Sequence, residues 1–337
     1  MCDEVDTGQF LSECSLVELE SLIVDGVRIL IGVVGLLFGA ETLVRSGSHL
    51  ARAFGVGPIV VGVTVVAYGT SFPELIVNLQ AASNGSPSLA VANVVGSNIC
   101  TIGIVLGVAG LTRPLRVSSA VSRFHLVTLI VSGICVALAL ADRTVSRLEG
   151  SCLVIFLIIY TIFSVRSARQ RGELLGDADA EVLAPVGHDG KSIAKYIGGV
   201  AFGIVLLGVG GRLVVEGAVG IARFLEVSER VIGVTLVAFG TSLPDLAASV
   251  MAAYRKEFDI AIGNVLGSVI FNNLNALALT AIIFPMKGID IQVWDLVAML
   301  GFIAIVPIFL KSDARLTRVE SAILVVSYMA YLVLSWG

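Results

Sequence analysis

Two stretches decide how this chain must fold: GVTVVAYGTSFPEL at residues 62–75 and GVTLVAFGTSLPDL at residues 233–246. They lie 171 residues apart and are identical at 10 of 14 positions. Each places one carboxylate and one proline inside an apolar run long enough to cross a membrane. The same spacing, without a gap, aligns ANVVGSNI at 92–99 with GNVLGSVI at 263–270. The chain therefore contains an internal duplication, and whatever purpose the first carboxylate has is shared by the second.

The composition is that of a polytopic membrane protein. Of 337 residues, 56% are hydrophobic and 14% are charged, and the mean hydropathy is +0.96, whereas soluble domains are about 25% charged. The net charge of −4 and the scattered basic residues argue against nucleic-acid binding. Five cysteines show no paired metal-ligand spacing, although Cys2 and Cys14 could form a disulfide if they face an oxidising compartment.

Ten apolar runs approach the roughly 20 residues that a helix needs to cross a bilayer. The sequence therefore predicts an all-α membrane protein with ten transmembrane helices, at residues 22–44, 57–82, 88–111, 123–141, 148–165, 194–215, 230–253, 259–284, 291–310 and 319–336.

The predicted spans divide into two halves of five, residues 22–165 and 194–337, joined by a polar linker at 166–193 and preceded by an acidic tail at 1–21. Because each half contains an odd number of spans, the second copy must be upside down relative to the first. The expected architecture is two inverted five-helix repeats, which is the sequence indication of a transporter with its site at the bilayer midplane.

The distribution of Lys and Arg predicts the orientation. With the N-terminus outside, the inner loops carry 15 of these residues and the outer loops carry 7, as expected if cytoplasmic loops hold the excess. We expect a protein of the cytoplasmic membrane with both termini extracytoplasmic and the linker in the cytoplasm.

The acidic residues of the duplicated stretches are the candidate functional groups. Glu74 lies near the middle of span two and Asp245 near the middle of span seven, where each charge costs about 2.5 to 3.5 kcal/mol. A bound cation would offset that cost. Hydroxyl groups three and four residues earlier lie on the same helix face as each acid, and they belong to Thr70, Ser71, Thr241 and Ser242.

Prolines and neighbouring spans supply further oxygen ligands. Pro73 and Pro244 each displace the carbonyl group four residues earlier and so open the preceding turn. Spans three and eight add the side chains of Ser97, Thr101, Ser268 and Asn272. Oxygen ligands without His or Cys indicate Ca²⁺ or Na⁺, and two carboxylates balance one Ca²⁺ or two Na⁺. An isolated Ser or Thr in a membrane helix is usually structural; the duplication favours the binding interpretation.

With GTSFPE and GTSLPD in matching places, and NVVGS and NVLGS after them, the chain resembles the sodium/calcium exchanger family of the cation/calcium antiporter superfamily. Its length and short linker are similar to the compact prokaryotic members. The resemblance implies that a Na⁺ gradient drives Ca²⁺ transport by alternating access, and that spans one and six slide across the other eight. It also implies that the chain is not an enzyme and has neither catalytic residues nor a cofactor.

The resemblance implies a ligand set as well. Glu74 and Asp245 would be the central ligands shared by Ca²⁺ and Na⁺. The rest of the set would be the side chains of Thr70, Ser71, Ser97, Thr241, Ser242 and Ser268 and the carbonyl groups of Ala67 and Ala238. Two positions depart from the compact archaeal pattern, which usually has Asn in place of Thr101 and often Asp in place of Asn272. Asn272 is instead similar to the potassium-independent animal exchangers.

Two other functions remain open at this point. A proton/calcium antiporter of the same superfamily would use Glu74 and Asp245 as proton carriers. An intramembrane aspartyl protease would need two Asp residues, whereas one acid here is Glu. The expected partners are Ca²⁺, Na⁺ and the lipid bilayer, with no nucleic acid, and we expect a monomer.

Overall fold

The computed structural model describes residues 7–116, 123–174, 190–227, 238–311 and 315–336. Spans one to five are α1 (Thr7–Ala53), the bent pair α2 (Pro58–Thr70) and α3 (Phe72–Ser83), α4 (Pro87–Thr112), α5 (Arg123–Ala139) and α6 (Arg147–Leu174). Spans six to ten are α7 (Gly190–Phe224), the pair α8 (Ala238–Thr241) and α9 (Leu243–Tyr254), α10 (Phe258–Ile283), α11 (Val293–Lys311) and α12 (Arg318–Trp336). The predicted all-α architecture with ten spans is confirmed.

Three helices, α1, α6 and α7, extend well beyond the predicted spans 22–44, 148–165 and 194–215. The first helix begins at Thr7, so helical structure extends into the segment expected to be a tail, and α6 continues to Leu174. Cys2, linker residues 175–189 and residues 228–237 of the seventh span lie outside the described residues.

Two short antiparallel ladders relate the halves of the molecule. Strand β1 (Leu115–Arg116) pairs with β4 (Arg315–Leu316), and β2 (Thr144–Val145) pairs with β3 (Met286–Lys287). A shift of 171 residues converts β1 into β3 and β2 into β4, so each ladder joins one repeat to the other. The registers also correspond, because the Leu115–Leu316 pair becomes the Met286–Val145 pair. This reciprocal exchange is what a two-fold axis between inverted repeats produces.

Spans three and eight form the centre of the bundle. Their apolar segments are 83% and 78% buried, against 17–28% for the other long spans. Glycines let α10 approach α2 closely: a Cβ atom at Gly263 would lie 2.8 Å from the Ile59 carbonyl oxygen, and one at Gly267 would lie 2.6 Å from that of Val63. Small residues at a membrane helix contact permit this backbone-to-backbone packing.

The first and sixth spans form a pair on the outside of the bundle. A Cβ atom at Gly32 would lie 2.7 Å from the Gly210 carbonyl oxygen, and one at Gly203 would lie 2.9 Å from that of Gly39. Gly32 corresponds to Gly203, and Gly39 to Gly210, under the 171-residue shift. The same contact is therefore made twice, and α1 and α7 are held together by a smooth, glycine-lined surface.

Candidate cation site

Each acidic residue follows a break in its span. Helices α2 and α3 meet at 42°, and Ser71, between them, has φ −89° and ψ 6°. Ser242 has nearly the same conformation, with φ −85° and ψ 0°. Pro73 and Pro244 then lie in the first turn of the following helix, where the missing N–H of proline removes no helical hydrogen bond.

The serine at each break donates a backbone hydrogen bond to the preceding turn. The Ser71 N–H donates to the Ala67 carbonyl oxygen at 3.0 Å. In the second repeat, the Ser242 N–H donates to the Phe239 carbonyl oxygen at 3.1 Å. The Ala67 carbonyl, one of the two backbone oxygens implied by the family resemblance, therefore already accepts one backbone hydrogen bond.

The two carboxylates are buried and near enough for their charges to interact. Glu74 is 1% exposed and Asp245 is 0% exposed. The hydroxyl group of Thr241 lies beside the Glu74 carboxylate, and that of Thr70 lies beside the Asp245 carboxylate. Each acid is thus accompanied by a threonine of the opposite repeat, so the site is formed only when the repeats come together.

Hydrogen bonds hold one oxygen of Asp245. Ser268 donates from its hydroxyl to Asp245 Oδ1 at 2.9 Å. The Asn264 side chain donates to the same oxygen at 3.4 Å and to the Ser249 hydroxyl at 2.9 Å. Thr70 connects this group to the first repeat, since its hydroxyl lies 3.1 Å from Asn264 Oδ1 and 2.9 Å from the Val66 carbonyl oxygen.

The surroundings of Glu74 are similar only in part. Asn93 donates to Asn78 Oδ1 at 2.8 Å and to the Glu74 backbone carbonyl at 3.5 Å. Ser97, which corresponds to Ser268, makes no hydrogen bond to the Glu74 carboxylate. The sequence analysis did not select Asn93 and Asn264 as candidate residues. Both lie in the repeated NVVGS and NVLGS segments, and the occurrence of Asn at both equivalent positions could have identified them.

Thr101 and Asn272 each begin a π-helical segment, at Thr101–Leu106 and Asn272–Ala276. The first segment packs against α9, which carries Asp245, and the second packs against α3, which carries Glu74. Short π-helical segments inside α-helices are frequent at functional sites. The widened turns that begin at both predicted residues therefore pack against the helices that carry the acids.

Buried polar atoms without a hydrogen-bond partner are concentrated on these residues. Within the described part of the chain, nine such atoms belong to residues selected from the sequence. They are Ser71 Oγ, both carboxylate oxygens of Glu74, Ser97 Oγ, Thr101 Oγ1, Ser242 Oγ, Asp245 Oδ2 and both side-chain polar atoms of Asn272. Because buried polar groups are normally paired, this cluster is suited to a ligand with several oxygen contacts.

A cleft of about 700 Å³ on one side of the bundle reaches Pro73, Thr241 and Pro244, which are next to this cluster in the sequence. It runs between α3 and α7 from Gln80 and Glu216 to Gly69, Gly240 and Thr241. The equivalent surfaces on the other side, α1 and α9, pack directly against each other. Among the described residues, the cleft therefore approaches the site from the side of α3 and α7.

Comparison with known proteins decides the family. The family model described as sodium/calcium exchanger protein matches residues 26–166 and 195–337, which are both repeats. The chain belongs to the sodium/calcium exchanger family. It is an integral membrane cation/calcium antiporter of the compact prokaryotic type and not an enzyme, so the protease alternative is wrong.

The relatives cover most of the chain. Inner membrane protein YrbG of Escherichia coli is 36% identical over 76% of this chain and 79% of its own length. Sodium/calcium exchanger MaX1 of Methanosarcina acetivorans is 29% identical over 90% of this chain and 96% of its own. A structure of the sodium-calcium exchanger NCX_Mj, soaked with Na⁺ and Sr²⁺, matches with a TM-score of 0.80 and 29% identity, covering 93% of this chain and 98% of NCX_Mj.

Proposed function

We propose that the chain exchanges Na⁺ for Ca²⁺ across the cytoplasmic membrane at the site between its two repeats. The observation that carries this proposal is the buried cluster of nine unpaired polar atoms around Glu74 and Asp245. Two carboxylates surrounded by hydroxyl, amide and carbonyl oxygens suit a hard cation. Their combined charge matches one Ca²⁺ or two Na⁺, so either load leaves the buried site nearly neutral.

The proposed ligand set follows the breaks and the π-helical segments. Glu74 and Asp245 would bind both ions. The unpaired oxygens of Ser71, Ser97 and Ser242 favour their participation. The remaining proposed ligands are Thr70, Thr241, Ser268, Thr101, Asn272 and the carbonyl groups of Ala67 and Ala238. Asn93 and Asn264 would position them, since they hydrogen-bond around the backbones that carry the acids.

Transport would proceed by alternating access, with α1 and α7 moving together across the other spans. The open cleft between α3 and α7, and the closed contact between α1 and α9, support two states related by the inverted repeat. The glycine-lined contact of α1 and α7 supports their movement as a unit. With the repeats at 22–165 and 194–337 and both termini outside, the cleft opens to the extracytoplasmic side.

The closed side carries a polar lock whose two charged residues after α9 are uncharged at the equivalent positions after α3. Arg255 donates from Nε to Glu41 Oε2 at 2.7 Å and from Nη2 to Glu41 Oε1, and the Ser48 hydroxyl donates to Glu257 Oε1 at 2.8 Å. The residues equivalent to Arg255 and Glu257 are Asn84 and Ser86. Closure of the cleft would therefore form no matching ion pair, which favours the cleft-open state.

Flux into proteoliposomes tests the function. Ca²⁺ uptake into vesicles loaded with Na⁺, K⁺ or choline, each with and without a pH gradient, separates the coupling ions. We expect uptake only from Na⁺-loaded vesicles. Uptake that follows the pH gradient and ignores Na⁺ would establish the proton/calcium antiporter instead.

A further inference from the structure

A second cavity, of about 420 Å³, lies at the same end of the bundle as the lock and away from the cation site. We call it the basic cavity. It is lined by Arg113, Pro114, Arg116, Lys256, Phe258 and Arg315. Four of its six lining residues are cationic and none is acidic, so its electrostatic character is strongly positive.

Two of the basic residues face each other across the β1–β4 ladder. Arg116 and Arg315 are direct cross-strand partners, and like charges directly opposite each other destabilise a strand pair. In the equivalent β2–β3 ladder, the corresponding pair is Lys287 and Thr144, which carries one charge. The paired arginines are thus an addition to this ladder that the fold itself does not require.

None of the four basic side chains of the cavity forms an ion pair within the described residues. Glu257 and Asp259 are neighbours of Lys256 and Phe258 in the sequence but form no ion pair with these four side chains. Arg113 donates from Nη1 to the backbone carbonyl of Tyr254 at 3.4 Å. Three guanidinium groups and one ammonium group therefore converge on one cavity, and among the described residues none of them is ion-paired.

The general excess of Lys and Arg in cytoplasmic loops explains why basic residues occur at this end of the bundle. It does not explain why four basic residues line one cavity, because basic residues anywhere in the cytoplasmic loops would give the same excess. It gives no reason to place two arginines opposite each other, where they repel. An anion bound between them would turn this repulsion into two charge-assisted contacts.

We propose that the basic cavity binds a phosphate-bearing anion, supplied either by the headgroup of an anionic lipid or by a soluble phosphate. Arg116 and Arg315 would bind the phosphate oxygens from both sides, and Arg113 and Lys256 would complete the cationic wall. Basic pockets at the cytoplasmic ends of membrane spans are suited to acidic headgroups. The site is independent of the ions transported, so it does not rest on the proposed exchange.

Lipid retention and thermal stability of the full chain test the proposal. The protein is placed in phosphatidylcholine nanodiscs with and without phosphatidylglycerol. In a third condition, inorganic phosphate is added to the nanodiscs that contain phosphatidylcholine alone. Bound lipids are counted by native mass spectrometry, and Tm is measured in each arm. The test variant is Arg116→Gln with Arg315→Gln, and the matched control is Lys287→Gln in the equivalent ladder.

We expect phosphatidylglycerol or phosphate to raise the Tm of the wild type. Retention of the anion should fall about fivefold for each arginine removed, since a basic residue near the surface contributes about that factor. In phosphatidylcholine alone, the double variant should be at least as stable as the wild type, because the repulsion is gone. Lys256→Gln, outside the ladder, should lower retention about fivefold while leaving the arginine pair intact.

Comparing the phosphatidylglycerol and inorganic phosphate conditions also identifies where the bound anion comes from. A response to phosphatidylglycerol alone assigns the cavity to a lipid headgroup, and a response to phosphate alone assigns it to a soluble anion. The proposal is overturned if neither raises Tm, or if the double variant and Lys287→Gln retain the anion equally. A double variant that is less stable than the wild type in phosphatidylcholine would show that the arginines serve the fold, and would also overturn it.

Discussion

The ion pair of Glu41 and Arg255 offers a direct test of the proposed two-state movement. It joins α1 to the end of α9 on the closed side and must break when α1 moves. Arg255→Glu removes the attraction and places a like charge next to Glu41 and Glu257. Combining it with Glu41→Arg restores an ion pair of reversed polarity at the same place.

The expected magnitude follows from the exposure of the pair. The side chains of Arg255 and Glu41 are 45% and 23% exposed, and exposed ion pairs contribute about 0.2 to 1 kcal/mol. The new repulsion is of similar size, so Arg255→Glu should destabilise the closed contact by about 1 to 2 kcal/mol. That corresponds to an increase of about 5- to 30-fold in the population open on this side. Glu41→Arg alone should act in the same direction.

A reporter cysteine at Val44 measures this population. Val44 is 1% exposed in the closed contact and lines the small cavity beside Glu41, so a membrane-impermeant maleimide reaches it only after opening. In a background without native cysteines, we expect the labelling rate to rise about 5- to 30-fold in Arg255→Glu and to return near the wild-type rate in the reversed pair. Val209→Cys, in the open cleft, controls for unfolding, since its rate should not rise. Equal rates in the single and reversed variants would refute the role of the lock.

Further predictions concern the site and the orientation. Glu74→Gln and Asp245→Asn should each abolish Na⁺-dependent Ca²⁺ flux while the protein remains inserted and monodisperse, because each removes half of the charge that balances Ca²⁺; near-normal flux in either would remove the central assignment. Asn272→Asp adds a third carboxylate, whose repulsion a proton or K⁺ would relieve, so flux should become more dependent on pH or K⁺; an unchanged ion dependence would place Asn272 outside the site. A reporter cysteine at Gly172 should label from the cytoplasmic side alone, and labelling from outside would invert the proposed topology.

The sequence by itself determined the architecture and the two acids. Apolar runs of about 20 residues specify spans independently of any tertiary contact, because in lipid a helix must satisfy its own backbone. The 171-residue repeat then required inversion, since five spans reverse the direction of the chain. Glu74 and Asp245 could be identified as functional candidates from the sequence, because a carboxylate inside a membrane span is costly whatever its span packs against. The sodium/calcium exchanger resemblance depended on the same local segments.

The tertiary structure decided everything that depends on contacts between the repeats. Thr241 beside Glu74, Asn264 beside Asp245 and the exchange of strands between the two ladders all join distant parts of the chain, which no local pattern specifies. The duplication also could not predict which side is open, because identical repeats would make both sides equivalent. In the proposed mechanism, that choice comes from residues that differ between the repeats, such as Arg255 and its counterpart Asn84, since only unequal contacts give the two states unequal free energies.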